Sequence, residues 1–566
     1  MVLTNTEKNS EMTARPSRVE TIMIRGVVRT SLFGILLFLI TGGVFSQESQ
    51  LPVKCGFSSL DAIYSQARDR KTNRDELTLS SIMRDRPTAQ HHYLTRDSLF
   101  LIHYDTEGGN AVDPYSSMVT GVPDWVIETE KALHKAYTLL VDSLGFDPPP
   151  MDTYTYPQDP PGGAHDIYYR NWGYYGMTYY PERIDRPGRP NAYAGYMVFE
   201  NDFSASQNFH THGVDALHVT AAHELFHLIQ LGYTLELDGV SPKGLWWYEL
   251  SSSWFEDIAY PDVNDYANYV EPYFRDPMPL HKAGSDGLEG YRTAHYGFIL
   301  SDYREPGLWE TIWNKFVERD AYAAIDHSLR DLVNTTFAAS YRKFAGWNLL
   351  TGEQARPGVG YPDADRYPRI ATKDTLYITE SLPLVKPIPS KDILYSRILF
   401  NAGSTEYFEL LFESMDGEAG ATFSLNSTPS TLTPISFGKG QGLNPAGGDD
   451  EGVLALVNAS SAPGEIHISL NRNSLKTYPN PITADIGQLY IYLIHDQSTA
   501  FHARIYDLLG REVHSSRFNN QKFSAGTTTL ALQLRNTPLE HVSSGPYFLH
   551  LKGSGFDRTT KLLIIR

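Results

Sequence analysis

In the stretch TAAHELFHLIQLGY, Thr220–Tyr233, His223 and His227 stand four residues apart and Glu224 directly follows the first. Residues i and i+4 of an α-helix share one face, one turn apart, so both imidazoles can meet at a single ion. Glu224 lies one step round, where its carboxylate can flank that ion without ligating it. Two histidines and an acid on an apolar helix are costly unless paired or metal-bound. The chemistry this spacing allows is metal-assisted hydrolysis, with Zn2+ lowering the pKa of a water and Glu224 accepting its proton as general base.

A catalytic zinc takes three protein ligands and keeps one position open. The third is expected from Glu249, 22 residues beyond His227 in GLWWYELSSSWFEDIAYP, Gly244–Pro261. Ser253 and Glu256 follow Glu249 at i+4 and i+7 and are read as supporting groups behind the ligands. Transition-state charge needs a hydrogen-bond donor. GYRTAHYGF, Gly290–Phe298, offers Tyr291, His295 and Tyr296. Ordinary packing competes for each of them, as it does for His210, His212 and His218.

The elements that must position these groups follow from periodicity and stop signals. The first ligand helix is expected to be capped by Asp215 and stopped at Gly232. A strand over Ala192–Asp202 precedes it, and the edge of its Tyr193–Phe199 part would pair an extended peptide, an ordinary sheet strand being the competing reading. Further strands are predicted over Ser98–Asp105 and in HDIYYR, and a long helix over Pro123–Phe146. From Leu245 to Leu350 the pattern is mostly helical. After Thr351 short apolar runs alternate with Gly, Pro, Ser and Asn, a β-sandwich pattern.

With 566 residues, one core is too few, and about three folded units are expected. A net charge of −18 argues against a nucleic-acid partner. Leu32–Ile40 is an apolar run preceded by Arg25 and Arg29 and followed by a small-residue site ending at Ser46. It reads as a secretory signal peptide cleaved before Gln47, with Met23 as an alternative start, and is too short to span a membrane. No other run is long enough to do so. Cys55 is the only cysteine, which rules out an intramolecular disulfide.

Three segments carry resemblances. The HExxH helix followed by WYELSSSWFED resembles the gluzincin pattern. With the later FAGWNLLTG it is similar to a family of secreted bacterial metalloproteases of the zincin class, over roughly Arg86–Gly352. The resemblance implies a zinc peptidase acting on protein or peptide. One departure is Leu250, where the gluzincin pattern has glycine; it puts close helix packing in question. From TYPNP at Thr477 onward, with FHARIYDLLGREV, SSGPYFLHL and TTKLLIIR, the chain closely resembles the type A sorting domain of the type IX secretion system. That implies the type IX machinery as a partner, export across the outer membrane and removal of the tail. VKCGFSSLD resembles the segments that hold some zinc proteases latent through a thiolate, making Cys55 a possible latency thiol; an inert buried cysteine is the competing reading.

The expected organisation is multidomain: an α+β zincin-like catalytic domain followed by two all-β sandwich domains. The segments are a signal peptide (1–46), a pro-segment or N-terminal extension (47–95), the metallopeptidase domain (96–352), a linker (353–373), a β-sandwich (374–475) and the sorting domain (477–566). The expected function is a secreted zinc endopeptidase. The alternative is a non-catalytic surface adhesin or binding protein on the same scaffold.

Overall fold

The computed structural model describes residues 54–57, 86–119, 121–235, 244–282 and 290–378. Beyond these it describes 384–400, 409–414, 419–425, 435–437, 442–443, 451–471, 475–478, 480–483, 486–495, 499–523 and 526–566. The signal-peptide reading lies outside the described residues.

A five-stranded sheet comes first. It contains β1 (His91–Leu94), β2 (Phe100–Tyr104), β3 (His165–Arg170), β4 (Gly176–Arg183) and β5 (Tyr193–Glu200), in the order β1-β2-β3-β5-β4. Strands β2, β3 and β5 run parallel, and β1 and β4 pair antiparallel at the two edges. The helix α1 (Asp124–Tyr137) lies in the chain between β2 and β3, as a parallel crossover requires. It continues in a π-helical stretch, Thr138–Ser143, and the chain turns away at Gly145, whose φ is +79°. The predicted strands and this helix are therefore present, but β5 is interior. The edge available to an extended peptide belongs to β4, a correction to the expectation for Tyr193–Phe199.

The helix α2 (Gly213–Leu231) packs on β4 and β5 and is buried nearly all round from Ala216 onward, as its continuous apolar run requires. Its N-cap is His212 in extended backbone, with no side-chain cap; Asp215 sits in the first turn instead, where it complements the helix dipole. Gly232 ends the helix with an ordinary right-handed φ of −70°. The helix α3 (Leu245–Ala259) packs against α2 and is followed by α4 (Asp265–Arg275). Trp247 and Trp254 anchor α3 by stacking on Trp309 at 5.4 and 3.8 Å between ring centroids. Leu250 is fully buried, and α2 and α3 pack together despite it.

Two assigned boundaries shift. Residues 86–95 belong to the α/β region: β1 is part of its sheet, and buried Arg86 is paired with Asp152 and Asp166. Residues 353–373 pack on the helices. Tyr367 is buried and its hydroxyl meets that of Tyr266 at 2.6 Å, Asp363 accepts from the Tyr266 hydroxyl, and Ala371 N–H bonds to Phe274 O.

The remainder is β-rich. The described strands between residues 374 and 471 form a five-stranded and a four-stranded sheet, mostly antiparallel, as the alternating runs predict. The described strands from Leu475 onward form a three-stranded sheet and a third five-stranded sheet around Leu489, Ile491, Phe501, Ile505, Leu549 and Leu562. The predicted turn at Leu509–Gly510 joins two of these strands. Gly510 has φ +76°, and Asp507 accepts from the backbone of Leu509 and Arg511. No helix among the described residues is long and apolar enough to cross a membrane.

Candidate metal centre

Four buried side chains converge between α2, α3 and the N-terminal segment 54–57. One ligand atom from each of Cys55, His223, His227 and Glu249 lies within 4.8 Å of all the others. The Nε2 atoms of His223 and His227 are 3.0 Å apart, and one Glu249 oxygen lies 3.2 and 3.3 Å from them. The i, i+4 spacing on α2 and the antiparallel return through α3 thus place the three ligands expected from sequence at one point.

The opposite nitrogens are held. His223 Nδ1 bonds to Glu256 Oε1 at 2.7 Å and His227 Nδ1 to Gln230 Oε1 at 2.8 Å. Each ring therefore donates backward from Nδ1 and turns its Nε2 to the shared point, the orientation a metal-binding imidazole needs. Gln230 is fixed in turn by donating to Tyr248 O, Ser251 Oγ and Ser252 Oγ. Glu256 is the support expected from its i+7 position. Ser253 is not: its Oγ makes no hydrogen bond among the described residues, and Ser252 faces His227 instead. Gln230 and Ser252 escaped sequence reading, although Gln230, three residues past His227, shares its face.

The electrostatics ask for a cation. Burial pulls the His223 pKa down, but Glu249 and Glu256 more than offset this and raise it to about 9. Burial pushes the Glu249 carboxyl up, yet the two histidines hold it below the usual carboxylate range. Burial, then the charges of Glu224 and Glu249, push the Cys55 thiol well up. A buried thiol beside carboxylates becomes a thiolate only with a positive ion at hand. Two imidazoles, a carboxylate and a thiol are a donor set that suits Zn2+.

Glu224 stands outside this ligand cluster. It accepts from Thr178 Oγ1 at 2.7 Å, and the same hydroxyl donates to the Glu224 backbone oxygen at 3.0 Å. Gly176 leaves room for it: a Cβ there would lie 2.7 Å from Glu224 Cγ.

Of the three donor candidates, only Tyr291 is at the centre. Its ring stacks on His223 at 5.6 Å and 3°, with its hydroxyl 3.5 Å from His223 Nε2. Gly290 places it there, with φ +78° and a Cβ position 2.3 Å from Trp246 O and 2.8 Å from Glu249 Cβ, so only glycine fits. His295 is instead enclosed by Tyr273, Phe274, Phe344, Tyr361 and Tyr367, where burial lowers its pKa to about 3. Tyr296 bonds to Ser340 at 2.7 Å. Both corrections have one cause: the short helix that follows Tyr291 points these side chains into the neighbouring helical core.

Cys55 is delivered by a short backbone pairing. Tyr175 N–H bonds to Lys54 O at 2.9 Å and Gly56 N–H to Gly176 O at 3.1 Å, with Cys55 parallel to Gly176 at the start of the edge strand β4. Phe57 stacks on His227 at 4.4 Å and 11°. Lys54 is ion-paired with Glu256 and Asp265.

Comparisons with known proteins bear on one end of the chain. No curated protein sequence matches it. Among solved structures, it is similar to PorZ, a surface component of the type IX secretion system of Porphyromonas gingivalis (16% identity, 20% of this chain and 15% of that one, TM-score 0.13). It is also similar to β-glucuronidases of Faecalibacterium prausnitzii (11% identity, 30% of this chain and 36% of that one, TM-score 0.16) and Bacteroides uniformis (12%, 30% and 26%, TM-score 0.18). The chain spans 15% to 36% of these proteins' own lengths, and likenesses at such scores carry no argument. Residues 476–566 match the family model of the secretion system C-terminal sorting domain. The chain therefore ends in a type IX sorting domain, and it is exported by that system to the cell surface or the medium.

Proposed function

We propose that the protein is an exported zinc endopeptidase of the zincin class, held latent by Cys55. The observation that carries this reading is the convergence of His223, His227, Glu249 and Cys55 beside a glutamate that is not one of the four. His223, His227 and Glu249 would hold the ion, with Glu256 and Gln230 orienting the two imidazoles. When bound, zinc supplies polarisation of a peptide carbonyl and acidification of a water.

The remaining chemistry belongs to the chain. Glu224 takes the proton of the attacking water and passes it to the departing amine. Thr178 holds the carboxylate in place through one oxygen, leaving the other for the proton. Tyr291, stacked on His223, is the donor for the charge that develops on the carbonyl oxygen. The edge of β4 at Tyr175–Gly176 aligns the peptide backbone, as it aligns residues 54–56. The Cys55 sulfur would be a fourth ligand, in place of the water or substrate that a catalytic zinc binds.

One observation favours a second reading, a non-catalytic surface protein. Counted with Cys55, the donor set has four protein ligands, the closed arrangement of structural zinc sites. Metal content and peptide turnover, measured on the full-length chain and on the exported, processed protein, separate the two. Turnover that appears with processing supports the peptidase. One zinc per chain with no turnover in either form supports the closed structural site.

A further inference from the structure

Lys54, the residue before Cys55, fills a pocket whose walls belong entirely to the rest of the domain. Its ammonium is ion-paired with Glu256 on α3 and Asp265 on α4, and is almost wholly buried. It lies 5.4 and 5.1 Å from the ring centroids of Tyr175 and Tyr269. Each carboxylate has one oxygen committed elsewhere. Glu256 Oε1 accepts from His223, and Asp265 Oδ1 accepts from Thr211 Oγ1 at 2.5 Å and from Tyr175 OH at 3.3 Å. Tyr175 OH in turn accepts from the backbone of His210 and Thr211. The second oxygens of both carboxylates are thereby aimed at one cation between two aromatic rings. Two buried carboxylates with no cation between them would be strongly unfavourable.

The pocket adjoins the chemistry. Glu256 touches His223 directly, and Lys54 and Cys55 are consecutive, so a side chain next to the group at the metal reaches this cavity. Resting on the peptidase reading, we propose that Glu256, Asp265, Tyr175 and Tyr269 form the specificity pocket for a lysine or arginine beside the scissile bond. Lys54 occupies it in the latent chain as a tethered substrate mimic. The ammonium donates two charge-assisted hydrogen bonds and faces two aromatic rings, contacts that a neutral side chain of the same length cannot make.

Two measurements test the proposal. In the zinc-loaded full-length Lys54→Ala chain, n-butylammonium is expected to raise Tm by several degrees. Equimolar 1-butanol should not, and adding Asp265→Asn should remove the response. Equal responses to the amine and the alcohol, or none to either, would overturn the pocket. The second measurement uses the full-length Cys55→Ser chain, which keeps Lys54 and stands whether or not the alanine variant folds. Peptides with Lys or Arg beside the scissile bond are expected to be cleaved with kcat/KM at least about tenfold above norleucine peptides, and Asp265→Asn should bring that ratio near one. Equal rates would overturn the specificity proposal and leave the peptidase reading intact. Cleavage of no peptide by this chain or by processed protein would overturn both.

Discussion

Replacing Cys55 by serine should release the latent chain, and the contacts of residues 54–57 set the size of the effect. Phe57 is 1% exposed, and its burial against His227 contributes about 2–3 kcal/mol. The two backbone hydrogen bonds to Tyr175 and Gly176 contribute about 1 kcal/mol each. Opening admits water to the Glu256 and Asp265 carboxylates and rehydrates the ammonium, which offsets the loss of the Lys54 ion pairs and leaves them at about 0 kcal/mol in this balance. Against this sum of about 4–5 kcal/mol stands the ordering of four residues, at about 1–2 kcal/mol each. Without the sulfur the segment has no surplus holding it closed. One ligand's share of a four-ligand zinc site is about 3 kcal/mol, or roughly two powers of ten in the open population. Zinc-loaded full-length Cys55→Ser should therefore turn over a quenched-fluorescent peptide about 10²-fold faster than wild-type precursor, and within about tenfold of the processed enzyme. If the variant is no faster than wild-type precursor while processed protein is active, the thiol does not hold the enzyme latent.

Further consequences follow from the groups around the candidate metal centre. Gln230→Leu takes the hydrogen-bond acceptor from His227 Nδ1 and should weaken zinc binding by about 10–100-fold in chelator competition. Gly290→Ala forces a side chain into a backbone with φ +78° and against Trp246 O, so Tm and zinc affinity should fall together, the strain alone amounting to about 1–3 kcal/mol. Burial, then Asp363 and Glu256, raise the Asp257 pKa from 3.8 to about 8. The folded state thus favours the protonated acid, a contribution fully present below pH 3.8 and lost as pH rises through about 8. Asp257→Asn should stabilise the chain more at pH 9 than at pH 5, by up to a few kcal/mol, read from denaturation at both pH values.

Helical spacing made the centre of the site legible. His223, His227, Glu249 and Glu256 meet because i+4 and i+7 neighbours share a face, a property of any α-helix. Spacing says less about which of two adjacent serines turns inward. Ser252 rather than Ser253 faces His227 because the rotation of α3 is set by Trp247 and Trp254 packing on Trp309. The β-rich half and the sorting tail were readable from alternation and turn residues. Strand order was not: β5 looked like a peptide-binding edge, but β4, which follows β3 in the chain, returns antiparallel to cover it. Tyr291, His295 and Tyr296 are near in sequence, and only the backbone at Gly290 distinguishes the one that reaches His223. Cys55 was legible as a lone thiol in an exported chain. Its partners Lys54 and Phe57 were not, since their contacts are made with β4, α2, α3 and α4, distant in the chain.

The separation of ligand from base is the most direct test of the central claim. Zinc content and peptide turnover are measured together on Glu224→Gln and His223→Ala in the Cys55→Ser background. The amide that replaces the carboxylate can still accept from Thr178 but cannot take a proton, so Glu224→Gln should retain about one zinc per chain and lose about 10²–10⁴-fold in turnover. His223→Ala should lose the zinc itself. If Glu224→Gln loses zinc, or keeps both zinc and full turnover, Glu224 is not the base; if both variants retain zinc, the ion sits elsewhere and His223 is not its ligand.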